Sequence, residues 1–205
     1  MRNLVSAALI IGGSLWTLFW TFHTIAHGPM NPAPTTGRFL GLTSMEHGML
    51  MTLSSGPFLA FGWLGLVRTM SGRGSGLRWT GAAVGTAGFA AFYAAAFAAL
   101  RFPESVWPLA YGGMLTLLIG LFLFAIGFAG AEGCSRFVRW LPLAATLGMP
   151  GITYLRRPGS PLLESEVLGY LMLESVGAPF GCCWIAIAIA SSTTAKAAAA
   201  RRLES

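Results

Sequence analysis

Long apolar runs separated by short polar breaks set the pattern of this chain. The runs cover residues 4–25, 39–67, 79–100, 107–131, 137–155 and 167–190. Each comes near or passes the roughly 20 residues that an α-helix needs to cross a bilayer. The breaks collect Gly, Pro, Ser and most of the Lys and Arg, which is the chemistry of turns. The pattern predicts an all-α polytopic membrane protein: a six-transmembrane-helix bundle forming a single domain over residues 1–205, with no internal repeat.

The runs differ in detail. The first opens on Arg2 and carries Trp16, Phe19, Trp20 and Phe22 in its second half. That arrangement reads as an uncleaved helix with an interfacial aromatic belt, since the apolar part outruns a signal-peptide core. The second is longer than a usual crossing, so tilting, protrusion or a kink at Pro57 is expected. In the third, Gly81-x-x-x-Gly85 predicts close helix packing. The fifth is interrupted by Arg139, Pro142 and Pro150-Gly151, which predicts a broken or tilted helix. Between the second and third runs, Gly72 to Gly76 reads as a flexible basic connector flanked by Arg68 and Arg78.

Composition sharpens the picture. The chain is 55% hydrophobic and only 10% charged, where a soluble domain carries about a quarter charged residues. Its net charge of +6 would suit nucleic acid. The Lys and Arg lie scattered between apolar runs, however, without a basic stripe, so the lipid bilayer and not nucleic acid is the expected partner. Placing both termini in the cytoplasm puts Arg2, Arg68, Arg73, Arg78, Arg136, Arg139, Lys196, Arg201 and Arg202 inside. Only Arg38, Arg101, Arg156 and Arg157 then lie outside, the asymmetry expected of a multi-pass protein of the cell (inner) membrane. Small-residue helices leave room for other membrane subunits as further partners.

Ionisable residues inside apolar runs cost a few kcal/mol of insertion free energy and mark functional sites. His23 and His27 are spaced i, i+4 and extend a stripe with Trp16 and Trp20. Glu46 and His47 stand side by side inside the second run, about 100° apart on a helix, so both face inward only as a wide polar wedge. The predicted topology brings Glu174 of the sixth run to the same extracytoplasmic level. His23, His27, His47, Glu46 and Glu174 are therefore the candidate metal ligands, with a transition metal (Cu or Zn) as the ion. Met45, Met49 and Met51 add thioethers suited to Cu(I). His23 and His47 are the candidate axial ligands for haem b, but histidines at one end only exclude two haems stacked across the membrane. A redox enzyme or an accessory factor to one would use such a site. The alternatives are a small proton- or cation-coupled transporter or channel working through Glu46, His47 and Glu174, or a structural assembly subunit.

Several classes drop out. The chain has no aspartate, no His-Glu-x-x-His, no Gly-x-Ser-x-Gly and no Walker loop. Cys134, Cys182 and Cys183 have no metal-site spacing and no obvious disulfide framework, and Cys182-Cys183 reads as inert packing, with a soft-metal relay as the alternative. The sequence names neither a reaction nor a substrate, and leaves open whether the protein is an enzyme.

Overall fold

A computed structural model describes residues 2–27, 31–32, 36–99, 107–132, 134–155 and 180–191. Helix α1 (Arg2–His27) leads to a two-stranded antiparallel ribbon, β1 (Arg38–Phe39) and β2 (Leu42–Thr43). Helices α2 (Ser44–Thr69), α3 (Ser75–Ala99), α4 (Trp107–Ala129) and α5 (Arg136–Leu155) follow. A shorter apolar helix, α6, runs over Phe180–Ser191. The protein is thus mostly helical. Among the described residues, Asn3–Ala26, Glu46–Thr69, Ser75–Ala98 and Pro108–Ala129 are long and apolar enough to cross a membrane. Many large apolar side chains on their outer faces, such as Ile11, Phe61, Phe97 and Leu115, are exposed, which fits a lipid environment.

The second apolar run does not become helix at Phe39. Leu40 (φ 50°) and Gly41 (φ 78°) are both left-handed, the geometry of a tight type I′ hairpin turn, and the chain reverses there. Leucine is a poor residue for that region, where its Cβ crowds the following carbonyl. Arg38 Nη1 braces the turn by donating to Gly41 O at 2.9 Å. Helix α2 then starts at Ser44, five positions later than hydropathy alone indicates. Apolarity of Phe39, Leu40 and Leu42 extended the run without extending the helix.

Two antiparallel helix pairs build the bundle. Helices α3 and α4 meet backbone to backbone: a Cβ at Gly81 would fall into the main chain of Gly120 and Phe124, and one at Gly120 into Gly85. The expected Gly81-x-x-x-Gly85 packing is therefore present within the chain, without a second copy. Helices α1 and α2 pair through Leu9, Leu59 and Val5, with Gly12, Gly62 and Gly65 giving them room. Helix α6 closes on α1 where Gly181 meets Gly13 and Thr17. Its buried Trp184 reaches Trp63 of α2 and Phe124 of α4, with ring centroids 5.3 and 5.7 Å away. An aromatic column thus joins helices that lie far apart in the chain.

Pro57 does not break α2. Proline lacks the N–H that would bond the carbonyl four residues back, leaving Leu53 O without its helical donor. The hydroxyl of Tyr93 on α3 donates to that same oxygen. A neighbouring helix thereby repairs the gap, as buried spans require. Helix α5 likewise passes through Pro142 and Pro150 as one helix, so of the two expectations, broken or tilted, the break does not form. Val138, Pro142 and Thr146 form its buried face, while Phe137 and Trp140 are turned outward. Of the run predicted over residues 167–190, only α6 lies within the described residues.

Candidate functional site

The histidine end of the bundle is where α1 finishes and α2 begins. Local sequence sets the geometry. Thr43 is the N-cap of α2 and Glu46 its third residue, and together they form a capping box. Thr43 N and Oγ1 donate to Glu46 Oε2 at 2.7 and 2.8 Å, and Glu46 N donates to Thr43 Oγ1 at 3.3 Å. Two backbone donors that a helix start would leave unpaired are satisfied this way. Glu46 is exposed and its carboxylate is occupied by the cap. His47, the next residue, is only 1% exposed. The pair therefore diverges: Glu46 serves the cap, and His47 alone enters the core.

His47 is held on three sides. Phe22 of α1 and Phe39 of β1 stand against the imidazole, with centroids 5.6 and 6.2 Å away. Its Nε2 lies 2.9 Å from Phe39 O. A carbonyl only accepts, so Nε2 carries the proton in that bond. In the neutral ring Nδ1 is then a bare lone pair, and it is buried without any hydrogen-bond partner. The hairpin explains why this works: the strained Leu40-Gly41 turn brings Phe39 O back over the start of α2.

His23 occupies the facing side of α1. Its Nδ1 lies 3.6 Å from where a Cβ on Gly48 would be, an ordinary contact distance that sets His23 beside the residue after His47. The aromatic stripe is formed as expected: Trp16 and Trp20 are stacked with centroids 6.3 Å apart, and Trp20 and His23 lie 5.5 Å apart. His27 is the last residue of α1, and its side chain lies outside the described residues. Glu174 also lies outside them. Among the described residues, no group of three or more His, Cys, Asp or Glu side chains could hold a metal ion. Of the candidate ligands, His23 stands on α1 beside Gly48, and His47 stands on α2 against Phe22 of α1. Asn31, buried just past α1, donates from Nδ2 to Ala26 O at 2.6 Å and is thereby tied back to that helix.

The opposite end holds a polar centre that hydropathy hid. Arg78, in the first turn of α3, is fully buried. Its Nη1 donates to Arg73 O at 2.8 Å and Gly127 O at 2.9 Å, and its Nη2 to Ser71 O and Gly72 O at 3.3 and 3.4 Å. Glu132 N also donates to Ser71 O at 3.1 Å, and Gly72 bridges Ala131. The glycine-rich connector, expected to be flexible, is instead pinned to the end of α4. Cys134 is buried beside Arg78 and Arg139. Burial pushes its thiol up, and the two guanidiniums pull partly the other way.

No family model, curated protein or solved structure matches the chain.

Proposed function

We propose that the protein is an integral membrane protein whose histidine end binds a transition-metal ion or a haem iron through His47 and His23. One observation carries this reading: the orphaned Nδ1 of His47. A buried acceptor left unpaired costs about 1–3 kcal/mol, and a bound ion is one way in which that cost is met. The bond from Nε2 to Phe39 O fixes the tautomer and aims the free nitrogen, as an outer-shell partner does for a ligating histidine. His23 supplies the second imidazole from α1, and His27 and Glu174 remain candidates to complete the set. Glu46 enters only by leaving its cap. A copper or zinc ion, or haem b, suits this donor set, and the stacked tryptophans beside His23 make a redox enzyme or redox accessory factor the matching activity.

The full membrane assignment belongs to the same proposal. Six spans with cytoplasmic termini place the histidine end on the outer side of the cell membrane and Arg78 on the inner side, in keeping with the distribution of Lys and Arg.

The test is metal analysis and an absorption spectrum of the purified full chain, before and after loading with Cu, Zn or haem. Wild type should hold the ion or haem in a defined ratio. His47→Gln, which can keep a donor on Phe39 O but loses the ring nitrogen, should lose it while eluting unchanged on size exclusion. A wild-type sample that stays colourless and metal-free after loading overturns the proposal.

A further inference from the structure

The arginine end carries a second inference, independent of the histidine site. Five arginines converge there: Arg68 at the end of α2, Arg73 in the connector, Arg78 in α3, and Arg136 and Arg139 in the first turn of α5. Their grouping is built by the fold. Arg78 clamps the carbonyls of Arg73 and Gly127, so the connector lies across the end of α4. Gly130 packs on Arg73, the Gly72–Ala131 bridge joins the two loops, and Arg78 and Arg139 both stand beside Cys134. Arg139 Nε is further tied to Cys134 O at 3.2 Å.

Among the described residues, the charge at this end is not balanced locally. Glu132 is the one carboxylate among the described residues of these loops, and it is engaged with Ser71 Oγ at 3.5 Å. Arg136 and Arg139 also sit at the start of a helix, where the peptide dipoles already present positive potential and no acidic residue offsets it. Such a placement raises the energy of the protein unless an anion comes to it. Next to these arginines, Phe137 is 75% and Trp140 50% exposed. Large apolar rings turned outward beside cations match the boundary between headgroups and acyl chains. Together the basic cluster and its flanking rings are complementary to a molecule that is anionic at one end and apolar below.

We propose that this face binds the phosphate headgroups of anionic phospholipids, with Arg73 and Arg136 as the direct contacts and Phe137 and Trp140 against the adjoining chains. Arg73 and Arg136 are both exposed. Arg78 acts from behind as the positioning residue that holds Arg73 in place.

The experiment uses the full chain purified in a neutral detergent, offered phosphatidylglycerol or phosphatidylcholine, with retained lipid read by native mass spectrometry. Phosphatidylglycerol should be retained preferentially. The preference should fall roughly fivefold for each arginine removed in Arg73→Gln, Arg136→Gln and the double variant, from about 1 kcal/mol per basic residue near an anionic surface. Phosphatidylcholine retention should not change. The two single variants stand in if the double variant fails to elute as a folded protein. Equal retention of the two lipids overturns the proposal, as does an undiminished preference in the variants. Tighter capture of polyglutamate than of phosphatidylglycerol also overturns it, in favour of an acidic protein partner.

Discussion

The two ends of the bundle each bury a nitrogen-bearing side chain, and they treat it in opposite ways. At the arginine end, both terminal nitrogens of Arg78 are committed to carbonyls from the connector and from α4, and only its Nε lacks an acceptor. At the histidine end, His47 commits one nitrogen to Phe39 O and leaves the other bare. A guanidinium cannot shed its charge, so the fold must surround it with oxygens. An imidazole can be buried neutral, and its spare lone pair is then a ligand in waiting. The first arrangement holds loops together. The second, on the reading proposed above, holds a place for a ligand.

If that contrast is right, the two side chains should differ most in what their loss does to stability. Arg78→Met removes two close charge-assisted bonds, to Arg73 O and Gly127 O. At about 1.5 kcal/mol each, the loss should be on the order of 3 kcal/mol. A titration with sodium dodecyl sulfate, following loss of the native elution peak, would measure it. Arg78→Lys should fall between, because one ammonium cannot span carbonyls that a planar fork reaches together. Wild-type stability in the methionine variant would mean that the buried arginine does not hold this end.

A smaller effect tests the same principle in the middle of the bundle. Tyr93→Phe should cost about 1 kcal/mol, a usual value for a single hydrogen bond between spans, because Leu53 O loses its donor. Pro57→Ala restores the backbone N–H that would serve that oxygen. On the Pro57→Ala background, Tyr93→Phe should therefore be nearly silent. The double-mutant cycle isolates the coupling, and additive effects would show that tyrosine and proline are unrelated.

These cases also explain how much could be read in advance. The four long spans are legible because an apolar run of bilayer length has few other solutions in one chain. Helix starts are less legible. Phe39, Leu40 and Leu42 keep the run apolar through a hairpin, although Thr43-x-x-Glu46 carries the signature of a capping box. That signature would have given Glu46 its place on the cap, where adjacency to His47 suggested a shared wedge. Arg78 is illegible for a different reason: hydropathy treats an arginine as the edge of a span, and its partners are main-chain carbonyls of the adjoining connector and of Gly127 on α4. Tyr93 is a similar case, since its partner is a main-chain oxygen exposed by a proline on another helix. The His23–Trp20–Trp16 stripe is legible because spacing on one helix is purely local.

The smallest expected effect bears most directly on the contrast between the two ends. His47→Gln exchanges one buried unpaired acceptor for another, and its amide can still donate toward Phe39 O. Stability should then change by less than about 0.5 kcal/mol, the low end for a single hydrogen bond. Against the loss of about 3 kcal/mol expected for Arg78→Met, that near-silence is informative only in the unliganded protein. With the ion or haem bound, the wild type should gain stability with ligand concentration, and the glutamine variant should not. The same detergent titration, run with and without ligand, measures both. A large loss in the unliganded variant would show that His47, like Arg78, is there to hold the fold together, and the distinction between the two ends would disappear.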